Sequence, residues 1–174
     1  MKKLLTAFIF ILVLSSANAQ DEKNVIKINP IGILLGSANI GYERAISQKS
    51  SILIAPTYGY FNSSGDKFTI YGISGEYRFY VSGTKYAPRG WYVGPGLEFA
   101  GGSVKTADNS EKIDAKGFAI KAIGGHQWIF RGGFALDINA GVQYLSINVA
   151  ENNQGVGSYS GVLPTISIAV GYAF

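Results

Sequence analysis

From Pro164 to Phe174 the chain reads PTISIAVGYAF, and every second residue, Ile166, Ile168, Val170, Tyr172 and Phe174, is bulky and apolar. Between them stand Thr165, Ser167, Ala169, Gly171 and Ala173, all small. A period of two puts one set on each face of an extended strand. The pattern recurs upstream. Phe134, Leu136, Ile138, Ala140, Val142 and Tyr144 oppose Gly133, Ala135, Asp137, Asn139, Gly141 and Gln143, and Trp91, Val93, Pro95, Leu97 and Phe99 oppose Tyr92, Gly94, Gly96 and Glu98. Likewise Ile52, Ile54, Pro56, Tyr58 and Tyr60 oppose Leu53, Ala55, Thr57 and Gly59, while Tyr71, Ile73, Tyr77 and Phe79 oppose Gly72, Ser74, Glu76 and Arg78.

Turn-rich clusters divide the chain into eight strand candidates: Asn24 to Leu34, Ser37 to Ile46, Ser51 to Phe61, Lys67 to Val81, Gly90 to Gly101, Ile113 to Ile129, Gly133 to Ile147 and Gly161 to Phe174. Two architectures alternate in this way: a soluble sandwich or lipocalin-like barrel with its apolar face inward, and a membrane barrel turned inside out. The small-residue face here carries the ionisable groups and too few long polar side chains for a solvated exterior. Aromatics gather at strand ends, where membrane barrels carry their interfacial girdles. The fold predicted is therefore all-β, an eight-stranded antiparallel up-and-down transmembrane barrel.

The first residues, MKKLLTAFIFILVLSSANAQ, predict a cleaved signal peptide over 1–19: Lys2 and Lys3, an apolar run from Leu4 to Leu14, and a small-x-small site at Ala17-Asn18-Ala19. The barrel domain is then 20–174. The chain has no Cys, so a lipobox, a disulfide framework and a thiolate metal site are excluded. Its formal charge of +4 falls by two on losing Lys2 and Lys3, too little and too scattered along the chain to indicate nucleic acid. Starting in the periplasm, the chain puts short turns at Ser47–Ser50, Ser82–Arg89 and Phe130–Gly132 on that side. Leu35-Gly36, Asn62–Asp66 and two longer polar loops, 103–112 and 148–160, fall outside.

At this point the sequence resembles the small outer-membrane barrels such as the OmpA transmembrane domain and OmpX, and more closely the short barrel proteins of Bacteroidota. The residues that carry the resemblance are the signal peptide, NIGYERAIS (Asn39 to Ser47) and the terminal GYAF. It implies a bacterial outer-membrane location, outer-membrane lipid as solvent, and insertion by the barrel-assembly machinery, which would read Val170, Tyr172 and Phe174. Four prolines depart from the pattern. Pro30, Pro56, Pro95 and Pro164 fall inside proposed strands, where a missing N–H predicts bulges or local strand ends, and Gly124-Gly125 predicts another bulge.

Lys27, Glu43, Glu76, Arg78, Glu98, Lys121 and Asp137 all take the inward phase. Four acids and three bases in a narrow lumen predict an ion-pair network, because buried charges persist only when paired. Eight strands leave room for little more than side chains, which disfavours a pore. The single histidine, His126, has no serine at close spacing on its strand, so a lipid-modifying enzyme finds no Ser/His pair to start from. It is expected to be a hydrogen-bonded interfacial residue. No catalytic, cofactor or metal residue is assigned. The chain is expected to be a monomer with a structural or surface-interaction role, any ligand being met by the external loops.

Overall fold

The computed structural model describes residues 22–174 except 64, 84, 107–111 and 152–153; the predicted signal peptide lies outside them. The elements, in chain order, are β1 (Asn24–Ile28), a short helix α1 (Pro30–Leu34), β2 (Ser37–Ala45), β3 (Ser50–Ser63), β4 (Asp66–Tyr80), β5 (Gly90–Lys105), β6 (Lys112–Ile129), β7 (Phe134–Glu151) and β8 (Gln154–Ala173). Each strand pairs antiparallel with its sequence neighbours, and β1 pairs with β8 to close the barrel. Closure runs from Val25↔Ala173 to Ile28↔Val170, extended by mutual backbone hydrogen bonds between Asn24 and Phe174 at 3.0 and 2.9 Å.

The wall is inside out relative to a soluble protein. Ile166 is 75% exposed, Val162 69% and Trp91 61%, whereas Glu43 is fully buried and Arg78 1% exposed. The expected eight-stranded antiparallel barrel is therefore present, with its aliphatic face outward. Tyr58, Tyr60, Trp91, Phe99, Phe134 and Tyr144 are all exposed on that face.

Several boundaries differ from expectation. The first strand stops at Ile28 instead of Leu34, because Asn29 and Pro30 start a helix. The Asn29 side chain accepts a hydrogen bond from the Gly32 N–H at 3.1 Å, and Pro30 occupies the first turn, where its missing N–H costs nothing. Above Ile28, β8 therefore continues to Gln154 without a strand partner on its β1 side. The two long loops shrink too: β5 reaches Lys105 and β6 begins at Lys112, while β7 reaches Glu151 and β8 begins at Gln154. Most of 148–160 is thus a paired hairpin, Val149↔Gly157 among its pairs.

The prolines and Gly124 make no bulge. The β3–β4 ladder runs through Pro56↔Ile73, and the β5–β6 ladder through Pro95↔Ala122 and Val93↔Gly124. Only one neighbour feels each missing donor. The β2–β3 pairing lapses between Asn39↔Thr57 and Tyr42↔Ile54, opposite Pro56, and the β4–β5 pairing between Glu76↔Gly96 and Phe79↔Val93, opposite Pro95; both resume in unchanged register. Pro164 sits where β8 has no β1 partner. The register shift the described ladders do contain lies at Val149/Ala150.

Candidate functional site

The inward phase brings Lys27, Glu43, Arg78 and Asp137 together in the half of the lumen nearest the termini, each at most 3% exposed. Lys27 Nζ lies 2.6 Å from Asp137 Oδ2 and 2.5 Å from Glu43 Oε2, and donates a third hydrogen bond to Gln127 Oε1. Its three N–H groups are then all engaged. Arg78 Nη1 donates to Asp137 Oδ2 at 2.6 Å and to Glu43 Oε2 at 3.3 Å, while Nε and Nη2 reach Glu76 Oε2 at 2.8 and 2.6 Å. Its guanidinium also lies 4.3 Å over the Tyr92 ring. The remaining oxygens of Glu43 and Asp137 accept from hydroxyls: Tyr80 and Ser51 to Glu43 Oε1, the former at 2.7 Å, and Tyr92 to Asp137 Oδ1 at 2.7 Å. Buried charges require this saturation, since each unmet donor or acceptor would add its own desolvation cost.

Five of the seven predicted lumen residues thus form one network. Glu98 and Lys121 form a separate salt bridge farther from the termini, with Glu98 on both β5 ladders opposite Ser74 and Ala119. Ser51, Tyr80, Tyr92 and Gln127 complete the network and were not singled out from sequence. Their signal was phase: Tyr80 follows Glu76 and Arg78 at intervals of two, and Tyr92 shares the Glu98 face.

Apolar packing closes the terminal end. Val25, Ile129, Ala135 and Ala173 form one buried cluster, and the network's Tyr80 and Tyr92 pack with Ala87 and Ile123 in another. The β4–β5 connection, expected as a simple turn, folds under the barrel: the Ala87 N–H donates to Gln48 O at 2.9 Å and Gln127 Nε2 to Pro88 O at 2.5 Å. Basic residues scattered in sequence gather at this end. Lys23, Arg44, Lys49, Lys85, Arg89 and Arg131 all lie in or beside its turns, with Glu22 paired to Arg89 at 2.8 Å.

Above the network the lumen is hollow. A cavity of about 280 Å³ is lined by polar side chains including Asn139, Thr165, Glu76 and Lys121, and a second of about 380 Å³ by Ile70, Ala100, Ala119, Leu145 and Ile147. Glu98 lines both. The inner face therefore carries its dense charge towards the termini and, beyond the Glu98–Lys121 pair, becomes mainly apolar.

His126 faces outward between two indoles, its ring 4.9 Å from Trp91 and 4.2 Å from Trp128. It is 8% exposed, and its buried Nδ1 has no hydrogen-bond partner, contrary to the hydrogen-bonded histidine expected. Among the described residues no His, Cys, Asp and Glu group is arranged to hold a metal ion. Val170 and Tyr172 stand opposite Ile28 and Ile26 across the closing seam, and Phe174 pairs through its backbone with Asn24.

Among solved structures, the crystal structure of Acinetobacter baumannii CarO is similar, with a TM-score of 0.47 and 10% sequence identity over 91% of this chain and 100% of that one. A comparison with curated proteins finds no match. Residues 5–158 match a family model described as "Protein of unknown function (DUF3575)".

Proposed function

The chain belongs to the DUF3575 family, and we propose that it is an integral outer-membrane barrel, exported through a cleaved signal peptide, with a structural or surface-interaction role. The observation that carries this reading is the inverted wall: exposed Ile166, Val162 and Trp91 outside, buried Glu43, Arg78 and Asp137 inside. In water that arrangement would expose a continuous apolar surface; in hydrocarbon it satisfies both faces, since a closed sheet leaves few backbone groups unpaired. The basic collar at the terminal end supports the orientation with termini in the periplasm, where it meets lipid phosphates. The hairpins β5–β6 and β7–β8, covering the predicted surface regions 103–112 and 148–160, then project outward. Val170, Tyr172 and Phe174 serve as the signal read by the barrel-assembly machinery.

The saturated Lys27–Glu43–Arg78–Asp137 network closes the lumen at one end, so the protein is a plugged barrel and not a pore. His126 lies between Trp91 and Trp128 on the outer wall, and its buried Nδ1, the atom an orienting acid would engage in a hydrolase, has no hydrogen-bond partner among the described residues. Labelling of a tag inserted between Asn153 and Gly157 on intact cells tests location and topology together. Surface labelling with no step conductance in planar bilayers is expected; a tag reached only after cell lysis, or steady open-channel currents, would refute the reading.

A further inference from the structure

Two cavities of opposite polarity are stacked along the barrel axis and meet at Glu98. The one nearer the termini is polar, about 280 Å³, and includes Glu76, Asn139, Thr165 and Lys121 in its wall. The one beyond it is mainly apolar, about 380 Å³, walled by Ile70, Ala119, Leu145 and Ile147, with Gln143 and Lys116 also in its lining. Ligand sites of a few hundred Å³ with an apolar lining and a few convergent polar groups fit this description. At roughly 30 Å³ per water-sized group, the apolar cavity holds on the order of a dozen methylenes, one hydrocarbon chain and not the two of a diacyl lipid.

The polar cavity also discriminates charge. Lys27 engages all three of its N–H groups within the network, and Arg78 directs its hydrogen bonds to Glu76, Glu43 and Asp137. Among the described residues Glu76 accepts from Arg78, and Glu98 from Lys121, through Oε2, which leaves an Oε1 on each for a further donor. Gly96 lies between Glu76 and Lys121: a Cβ there would come within 3.2 Å of Glu76 Cγ and 3.5 Å of Lys121 Cβ, so the absent side chain lets both neighbours share the floor. The seven lumen groups carry four acids against three bases, an imbalance that one added cation would neutralise.

We propose that this lumen binds one molecule of a single-chain amphiphile with a protonated amine head, the head at Glu98 and Glu76 in the polar cavity and the chain in the apolar one. The ligand enters from the end opposite the termini, where the inward-facing Ile70 and Ile113 remain exposed. The proposal rests on the membrane-barrel reading for access only.

The test is native mass spectrometry of the full mature barrel released from a non-ionic detergent, titrated with dodecylamine and, separately, with dodecanoate. Wild type is expected to hold dodecylamine at one per barrel, at least tenfold more tightly than dodecanoate. Ala119→Trp, which fills the apolar cavity, should abolish the adduct, and Glu98→Gln should weaken dodecylamine at least fivefold while leaving the compact form on unheated gels. Equal binding by wild type and Glu98→Gln, multiple adducts that never saturate, or a preference for dodecanoate would each overturn the assignment. A barrel that reaches the cell surface yet takes up no amine sinks this inference and leaves the membrane reading standing; a tag absent from the surface does the reverse.

Discussion

Replacing Arg78 with Met removes the residue on which three lumen carboxylates converge. Around it stand Glu43, Glu76 and Asp137, with Lys27 and Arg78 as the cations of the network; without the guanidinium, Lys27 remains beside Glu43 and Asp137 with its N–H groups already spent, and Glu76 loses the cation it pairs with. Removing one partner of a buried ion pair costs about 3–5 kcal/mol, because the remaining charge has neither water nor counter-ion. With a denaturant slope of about 1–3 kcal/mol per molar urea, the unfolding midpoint in lipid vesicles should fall by on the order of 1–5 M. Tryptophan emission reports it, since Trp91 and Trp128 both lie on the outer wall. Lys121→Met is the internal control. Its partner Glu98 has a side chain 38% exposed, so solvent screens the pair and the expected loss is only about 0–1 kcal/mol. Adding Asp137→Asn to Arg78→Met should recover part of the deficit by removing one stranded charge. An unchanged midpoint for Arg78→Met, or equal losses for Arg78→Met and Lys121→Met, would refute the network as the element holding the lumen shut.

Tyr92→Phe deletes the hydroxyl that donates to Asp137 Oδ1 at 2.7 Å, and should cost about 1.5–3 kcal/mol in the same urea assay. His126→Phe keeps the contacts with Trp91 and Trp128 while removing a buried nitrogen without a partner; stability equal to wild type or up to about 1 kcal/mol higher is expected, and a clear loss would show that the imidazole is bonded after all. A Cβ on Gly171 would sit 2.1 Å from Ile26 O across the seam, whereas one on Gly75 meets nothing nearer than 3.9 Å. Gly171→Ala should therefore weaken the compact band on unheated gels, and Gly75→Ala should leave it intact.

Alternation made the wall legible from sequence because a strand buried on one side has a period of two whichever side that is. It also placed Lys27, Glu43, Arg78 and Asp137 on the inward face. Which inward charges meet depends on the stagger between strands, and that separates Glu98 and Lys121 from the rest. Pro30 marks a strand end, as its missing N–H predicts, but the helix that replaces the strand to Leu34 is not legible there, because Asn29-Pro30 suits a helix start as well as a break in a strand and the choice falls to a cap contact with Gly32. The polar stretches SVKTADNSEK and NVAENNQGVGSYS read as loops on composition, yet strands beyond an apolar belt need no apolar face, so composition loses its meaning there. The apolar cavity is not legible for a related reason: Leu145 and Ile147 continue the inward phase beyond Gln143 within the predicted strand, where bulky apolar residues break the small-residue pattern of that face.

The ring is completed by residues 150 positions apart in sequence, and the fastening is brief: Asn24 to Ile28 against Val170 to Phe174. Seven neighbouring hairpins zip locally, with small loops to close, while this last join needs the whole polypeptide in place before its few bonds form. A curled, unsealed sheet is thus the natural penultimate state of assembly. Losing the final few amino acids would leave seven ladders standing and an open letter C in place of the cylinder.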